Sequence, residues 1–179
     1  MNWLKHNWPW LVFTVAIAVV VHVALVIATP RVIMWRAMTA IARGGHGYNT
    51  IAHARRPTAT SRGIVRPSPD LLYSSCVFDL DAAGGALRVH ASGMPNTYWS
   101  VSAFDDNTNN FFVENDRQAR GAVDFIITGP GHFVDTTLPV VTAPSVRGLV
   151  LFRTLINDET RLAEIDRARR GAACEPFKG

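Results

Sequence analysis

The sequence predicts a mainly β protein: an antiparallel β-sandwich or jelly-roll-like domain with a C-terminal helix, preceded by one N-terminal transmembrane helix. Residues 6–30 contain no Lys, Arg, Asp or Glu, which is typical of a membrane span. After Asp70, short segments alternate between polar and apolar residues and are separated by turn residues. We therefore divide the chain into an anchor (1–30), a basic juxtamembrane helix with a surface loop (31–69), and a β-sandwich with its helix (70–179).

Composition and charge narrow the class of protein. The 179 residues have room for one domain and a small appendage. Hydrophobic residues make up 48% and charged residues 18%, below the roughly 25% charge of soluble domains. This excludes a disordered chain and favours a membrane attachment. All 14 acidic residues lie at or after Asp70, so the front of the chain is purely basic. Two cysteines exclude a disulfide-dense small domain.

The anchor is the apolar stretch from Trp10 to Ala28, which is about as long as a helix needs to cross a bilayer core. Tryptophans at its two ends are typical of membrane interfaces, and here they are Trp3, Trp8, Trp10 and Trp35. Pro9 suits a helix start, and Pro30 suits an end or a kink. A signal peptide cleaved after Ala28 is the alternative, but its apolar region would exceed the usual roughly 7–15 residues.

His22 lies in the middle of this span. The simpler interpretation is a neutral imidazole bonded to a backbone carbonyl or to a partner helix. The alternatives are a ligand to a partner's cofactor and a proton relay.

Residues 31–43 form a basic helix pattern that Gly44 and Gly45 end. Met34, Met38 and Ile41 share one face of this helix. The pattern predicts an interface with the membrane surface, where arginine favours anionic headgroups, or with a protein partner. A nucleic-acid partner is not expected, because the stretch is tethered to a bilayer. The residues expected at the interface are His22, Met34, Trp35, Arg36, Met38 and Ile41.

Residues 46–69 lack periodicity and are rich in Gly, Pro, Ser, Thr and Arg. A loop of this length is either disordered or laid across a surface. We expect the second, with Tyr48, Ile51, Ile64 and Val65 available for burial.

The β domain begins with a strand at 72–80, a turn at 81–85 and a returning strand at 86–90, predicted to be its hairpin partner. Further strands are expected at 97–104, 111–114, 123–128, 140–142 and 146–156. Residues 158–170 read as a closing helix, capped by Asp158. Its apolar stripe runs through Leu162, Ile165 and then Ala168 or Arg169.

Cys76 lies inside the first of these strands and Cys174 follows the closing helix. In an oxidising compartment the two form a disulfide staple, and otherwise they are one buried and one exposed thiol. Closing a loop of this length stabilises the fold by roughly 4 kcal/mol on loop-entropy grounds.

No recognised catalytic motif is present: the sequence has no nucleophile elbow, HExxH, phosphate loop, dinucleotide fingerprint or CxxC. An enzyme is therefore not the favoured class, and no cofactor or metal is expected. A binding pocket at one end of the sandwich is the best candidate site. Its expected residues are Asp70, Tyr73, Trp99, Asp105, Asn107 and Arg153.

Arg153 lies inside an apolar strand, where a charged group needs a carboxylate. Asp79 and Asp105 are the candidate partners in a structural ion pair, and an anion-binding or catalytic pocket is the alternative. Asp105 also opens the cluster DDNTNN, whose oxygen spacing imitates a calcium loop. Asn110 stands where that loop needs glycine, so a hairpin turn is the favoured interpretation.

Five segments follow one another in order: Gly44 to His53, VRPSPDLLYSSCVFDL at 65–80, TYWSVSAFDDNTNNFF at 97–112, ITGPG at 127–131 and GLVLFRTLI at 148–156. Together they resemble the family called domain of unknown function 1254. The resemblance implies a β-sandwich, often exported to the bacterial envelope and often fused to, or encoded beside, a second jelly-roll domain. It implies no established catalytic residues. Two departures stand out: Ser68 replaces a more usual asparagine, and no companion domain follows.

These expectations converge on a membrane-anchored envelope protein. We expect a single-pass protein of the bacterial inner membrane with its β domain on the periplasmic side, acting as a non-enzymatic accessory subunit. Its expected partner is a membrane complex or a separate jelly-roll protein. A membrane-tethered hydrolase-like enzyme, or a β-sandwich that binds a small molecule or lipid, is the alternative.

Overall fold

The computed structural model describes residues 2–45, 47–63, 66–119 and 121–178, with side chains from His6 onward. A long helix, α1 (Asn2–Gly44), precedes a sandwich of two sheets. Within the described residues the strands are β1 (Ile51–His53), β2 (Leu71–Asp79), β3 (Ala86–Ala91), β4 (Trp99–Asp105), β5 (Asn110–Asn115), β6 (Val123–Thr128), β7 (Val140–Thr142), β8 (Arg147–Leu155) and β9 (Ala173–Pro176). The short helix α2 (Asp116–Ala119) follows β5, and a 3-10 turn (Glu159–Arg161) leads into α3 (Leu162–Arg169).

The two sheets confirm the predicted sandwich. One sheet has the order β1-β2-β8-β4-β5 and the other β7-β6-β3-β9. Neighbouring strands run antiparallel except for β6 and β7, which are parallel. The edge strands β1 and β9 were not predicted, because β1 lies in the segment 46–69, which lacks periodicity, and β9 lies in the short tail after α3.

The loop expected at 46–69 therefore contains a strand. Ile51, in β1, packs against the core as expected, whereas Tyr48 is exposed. Ile64 and Val65 lie outside the described residues.

The predicted hairpin between β2 and β3 is wrong. β2 pairs with β1 and β8, while β3 pairs with β6 and β9 in the opposite sheet. The turn between them carries the chain across the sandwich, and its Leu80 and Ala83 are buried in the core. Asp79 holds this crossing, because its carboxylate accepts hydrogen bonds from the Ala82 N–H at 3.2 Å and from Arg147 Nε at 2.7 Å.

The core lies between the sheets and is built from alternate residues of the strands. Phe78, Trp99, Phe125 and Phe152 are fully buried there. Gly148 lies opposite Phe78 in the β2–β8 pairing. A Cβ at Gly148 would overlap with the Phe78 ring, so only glycine leaves room for that ring.

A disulfide joins the two sheets across this core. Cys76 in β2 bonds to Cys174 in β9, with Cα atoms 6.4 Å apart and a sequence separation of 98. Both side chains are buried. The bond therefore links the first long strand of the domain directly to its last.

The closing helix forms as predicted, with Asp158 capping its first turn by accepting a hydrogen bond from the Thr160 N–H at 2.9 Å. The buried stripe continues through Ile165 to Arg169. The Arg169 guanidinium donates to the carbonyls of Tyr73 and Ala54, at 2.8 Å each, and to Asp166 at 2.6 Å. This buried arginine fastens the helix to β2 and to the chain just after β1.

The N-terminal region is one helix rather than the two expected, since α1 runs through both Pro9 and Pro30. Side chains beside Pro30 bond to the preceding turn: the Thr29 hydroxyl donates to Leu25 O at 2.5 Å and Arg31 Nη1 donates to Ile27 O at 3.2 Å. Pro30 has no backbone N–H to donate, and these side chains supply hydrogen bonds to backbone carbonyls of the turn before it. α1 is long and apolar enough to cross a membrane, and its most apolar 18-residue window has a mean hydropathy of 2.9.

We predict that reducing the disulfide lowers the free energy of unfolding by about 4 kcal/mol, because the unfolded chain regains the entropy of a long loop. Denaturant unfolding of the whole protein in detergent, with and without reductant, measures this loss. A Cys76→Ser/Cys174→Ser variant is the control and should not respond to reductant. Equal stability of the wild type under both conditions would contradict the prediction.

A second prediction concerns Asp79. Burial by itself would raise the pKa of Asp79, but hydrogen bonds from Arg147 and the Ala82 N–H outweigh it, and the pKa is lowered. The stabilisation of the fold by the ionised Asp79 carboxylate is therefore complete above about pH 4, the pKa of an unfolded aspartate. It is lost as the pH falls through the lowered pKa of Asp79 in the folded protein.

Unfolding measured between pH 6 and pH 2.5 should show a steeper loss of stability for the wild type than for Asp79→Asn. The exposed neighbouring substitution Asp81→Asn is the matched control and should keep the wild-type slope. Parallel curves for Asp79→Asn and wild type would refute the assignment.

Candidate functional site

The C-terminal part of α1 is seated on the outer face of the five-stranded sheet. Met34 and Met38 are buried against Val77 of β2 and Leu149 of β8. Ile41 and Phe104 pack around this cluster. The apolar face predicted for residues 31–43 therefore exists, but the sheet of the same chain covers it. Met34, Met38 and Ile41 do not present a free surface to a membrane or a partner.

The direction of α1 across the sheet follows from its contacts. The end of the helix lies on β1, since a Cβ at Gly45 would come within 2.8 Å of Ala52 Cβ. The Met34–Met38 segment lies over β2 and β8, with Phe104 of β4 beside it. Met34 and Gly45 are eleven positions apart, which corresponds to about 16 Å along a helix axis. The four neighbouring strands β1, β2, β8 and β4 are together about 14 Å wide. α1 thus crosses the strands and leaves the sheet towards β5.

Asn49 fixes the connection between α1 and the sheet. Its backbone adopts a positive φ of 57°, and its side chain is buried. The side-chain amide donates to Asp79 O at 2.9 Å and accepts from the Asp79 N–H at 2.9 Å. Its own N–H donates to Val77 O at 2.8 Å. The linker after the helix is therefore bonded to β2 on both sides of Phe78.

The structure brings together only part of the predicted pocket. Tyr73 of β2 lies opposite Arg153 of β8, and Asp70 immediately precedes β2 at the same end. Trp99 faces the other way, into the core. Asp105 pairs with Gly148, five residues along β8 from Arg153, which is about 17 Å. The six predicted residues do not line one pocket.

Asp105 organises the β4–β5 turn. Its carboxylate accepts hydrogen bonds from the N–H groups of Asn107 and Asn109, at 2.9 and 2.8 Å, and from the Asn109 side-chain amide at 2.8 Å. This is the hairpin-turn interpretation of the DDNTNN segment, and the oxygens of Asp105 are already committed to it. In the part of the chain that the structure describes, no three His, Cys, Asp or Glu side chains gather in a metal-binding arrangement.

Arg153 does not pair with either predicted carboxylate. Asp79 binds Arg147, its cross-strand neighbour, and Asp105 binds its own turn. The Arg153 guanidinium donates to the Ser102 hydroxyl at 3.1 Å. Its Nε is buried without a hydrogen-bond partner, and so is the hydroxyl of Ser100, which lies opposite Arg153 on β4.

The other residues of the predicted interface remain on the surface of α1. Trp35 is 62% exposed, and Arg36 and His22 are exposed as well. Trp35 lies close to the seated face but points away from it. These side chains are available to lipid or to another protein, although the structure contains neither.

One surface was not predicted. A cavity of about 730 Å³ lies between the turn that follows β2, the loop after β6 and the C-terminal residues. Phe133, in that loop, lines it and is 93% exposed. His132 packs directly over Gly85 at the same place. The only signal in the sequence was an isolated phenylalanine in a turn-rich segment.

Comparison with solved structures shows that this fold recurs. The VPA0106 protein from Vibrio parahaemolyticus matches with a TM-score of 0.54 and 14% identity, over 62% of this chain and 28% of that protein. An uncharacterised protein from Burkholderia cenocepacia matches with a TM-score of 0.50 and 14% identity, over 82% of this chain and 39% of its own. This chain thus corresponds to roughly a third of each of these proteins. At this identity the likeness concerns the fold alone.

Comparison with curated proteins gives no match. The sequence profile of one family, described as a protein of unknown function (DUF1254), matches residues 48–176. That range contains every strand that the structure describes, the disulfide and Arg153, and the segments that suggested the resemblance lie almost entirely inside it. The chain therefore belongs to the DUF1254 family.

Proposed function

We propose that this protein is a single-pass accessory protein of the bacterial inner membrane, which presents its β-sandwich on the periplasmic side to a protein partner. The partner is a membrane complex or a separate jelly-roll protein. The observation that carries this proposal is the continuity of α1. One helix supplies the apolar segment at 10–28 and, about 9 Å further along its axis, the methionines seated on the sheet.

A seated helix gives the domain a fixed position relative to the span. A flexible linker would let the sandwich tumble, whereas Met34, Met38 and Asn49 bind the end of α1 to β2 and β8. Fixed presentation at the membrane surface suits a subunit that docks in one orientation. It is not needed for a tethered enzyme acting on a freely diffusing substrate.

The disulfide supports the periplasmic orientation. Stable disulfides form in the periplasm and are rare in the bacterial cytoplasm, and Cys76 and Cys174 are bonded here. The basic residues flanking the span are nearly balanced between its two ends, so the cysteine pair is the stronger argument for orientation.

One observation supports a protein partner. Phe133 is almost fully exposed beside a cavity, and aromatic side chains are enriched in the buried centres of interfaces. The enzyme alternative is less well supported, because Asp105 and Arg153 lie at opposite ends of their strands.

The proposal is tested by mild-detergent extraction of the protein from native membranes through a C-terminal tag, followed by mass spectrometry. We expect one membrane or periplasmic protein at near-stoichiometric amounts. Phe133→Ser should reduce its recovery several-fold, because the substitution removes the exposed aromatic ring. Val140→Ser, at another exposed apolar position, is the matched control. A monomer without a partner under every gentle extraction would refute the proposal.

The packing of the end of α1 on the sheet gives a separate prediction. Met38→Gln places a polar amide against Val77 and Leu149, so the end of α1 should detach and unwind more often. Trypsin should then cut after Arg43 several times faster than in the wild type, as measured by mass spectrometry of the fragments. Ala40→Gln, on the exposed side of α1, is the control and should leave the rate unchanged. Equal cleavage rates for both variants would show that the packing of Met38 does not hold the end of α1 on the sheet.

A further inference from the structure

The outer face of the five-stranded sheet is only partly covered by α1. The helix lies over the row formed by Val77, Leu149 and Phe104. Further along the same face, Arg153 stands between Tyr73 on β2 and Ser100 on β4. Arg153 as a whole residue is only half-buried.

The polar groups at this place are not satisfied within the protein. Ser100 is 1% exposed, and its hydroxyl has no hydrogen-bond partner. Arg153 Nε is buried without a partner as well. Buried polar groups in folded proteins are nearly always paired, and leaving one unpaired destabilises the fold. These two groups on adjacent strands therefore have hydrogen-bonding capacity left for a ligand.

The chemistry of the groups defines that ligand. Arg153 offers only donors and a positive charge, and the Ser100 hydroxyl can also donate. Among the described residues no carboxylate forms an ion pair with Arg153, since Asp79 and Asp105 are bound elsewhere. The Ser102 hydroxyl accepts from Nη2 at 3.1 Å and so fixes the plane of the guanidinium. A fixed guanidinium fork with an adjacent hydroxyl fits an oxyanion with several oxygens.

The surroundings are mainly apolar. Leu151 and Leu155 flank Arg153 along the same face of β8, and both are partly exposed. Tyr98, which precedes β4 and lies on the Ser100 side of that strand, is 46% exposed. These neighbours lower the local dielectric around the guanidinium and strengthen its pairing with an anion. They also offer contact to an apolar group attached to the anion.

We propose that Arg153, Ser100 and Ser102 form a binding site for a phosphate-type oxyanion, free or carried by a lipid headgroup. The anion accepts hydrogen bonds from the guanidinium and from the Ser100 hydroxyl. Leu151, Leu155 and Tyr98 contact the organic part when one is present. The site goes beyond the proposed accessory function and does not depend on it, because it lies wholly within the sandwich.

The test uses the full chain in a nonionic detergent, with three probes: inorganic phosphate, dihexanoyl phosphatidic acid, and chloride at matched ionic strength. The dissociation constant is obtained from the rise in melting temperature with probe concentration. We expect the wild type to bind at least one of the two phosphate probes, with no rise for chloride. Equal affinity for both probes means that the phosphate group suffices, and binding of the lipid alone means that the apolar neighbours contribute.

Arg153→Gln should weaken binding about tenfold or more, through the loss of charged hydrogen bonds. Ser100→Ala should weaken it several-fold while preserving the fold, and it keeps the test valid if Arg153→Gln proves unstable. Arg88→Gln, which removes an arginine paired with Asp124 on the other sheet, is the charge-matched control and should bind within about twofold of wild type. No binding of either phosphate probe by the wild type, or unchanged binding by Ser100→Ala and Arg153→Gln, would overturn the site.

Discussion

The packing of two methionines on the outside of a sheet determines much of this structure. The outer face of an antiparallel sheet commonly faces water, but Val77 and Leu149 make it apolar at one row, and Met34 and Met38 of α1 cover that row. Because the same helix carries the apolar N-terminal segment, this contact sets the distance and the orientation between that segment and the sandwich. It also leaves the other half of the face open, where Arg153 lies.

The contacts around the packed end of α1 depend on one another. Asn49 bonds the linker to both sides of Phe78, and Asp79, the residue to which Asn49 bonds, also holds the turn into the second sheet. The core beneath depends on Gly148, which leaves room for Phe78. A change in the packing of Met34 and Met38 on the sheet therefore affects β2, the strand that also contains Cys76 of the disulfide.

Local patterns predicted the fold class and most of the strands, because alternation and turn residues are properties of neighbouring positions. Strand partners could not be predicted in the same way. β2 pairs with β8, some seventy residues later, and the turn at 81–85 has the composition of a hairpin although it crosses between the sheets. Pro30 suggested a helix end or a kink; side chains beside it bond to the preceding turn, and the helix does not end there.

The predicted pocket is only partly brought together in the structure, for similar reasons. Arg153 was expected to be a buried charge paired with Asp79 or Asp105, but it is half-buried, and the strand register places neither carboxylate opposite it. Asp79 lies opposite Arg147 in that register and binds it, so Arg153 is left with serines. Phe133 carried no pattern at all, because its exposure results from the position of its loop relative to the C-terminal residues.

The disulfide has a mechanical consequence. If the helix is held in a membrane and a bound protein pulls near the C-terminus, tension runs from the linker into β2, crosses from Cys76 to Cys174, and leaves through the last few residues. The segment between the two cysteines, which are 98 positions apart in sequence, lies outside that path. Most of the sandwich therefore carries no tension. The loops and strands within this covalent ring keep their structure, while the force acts on the segments before Cys76 and after Cys174.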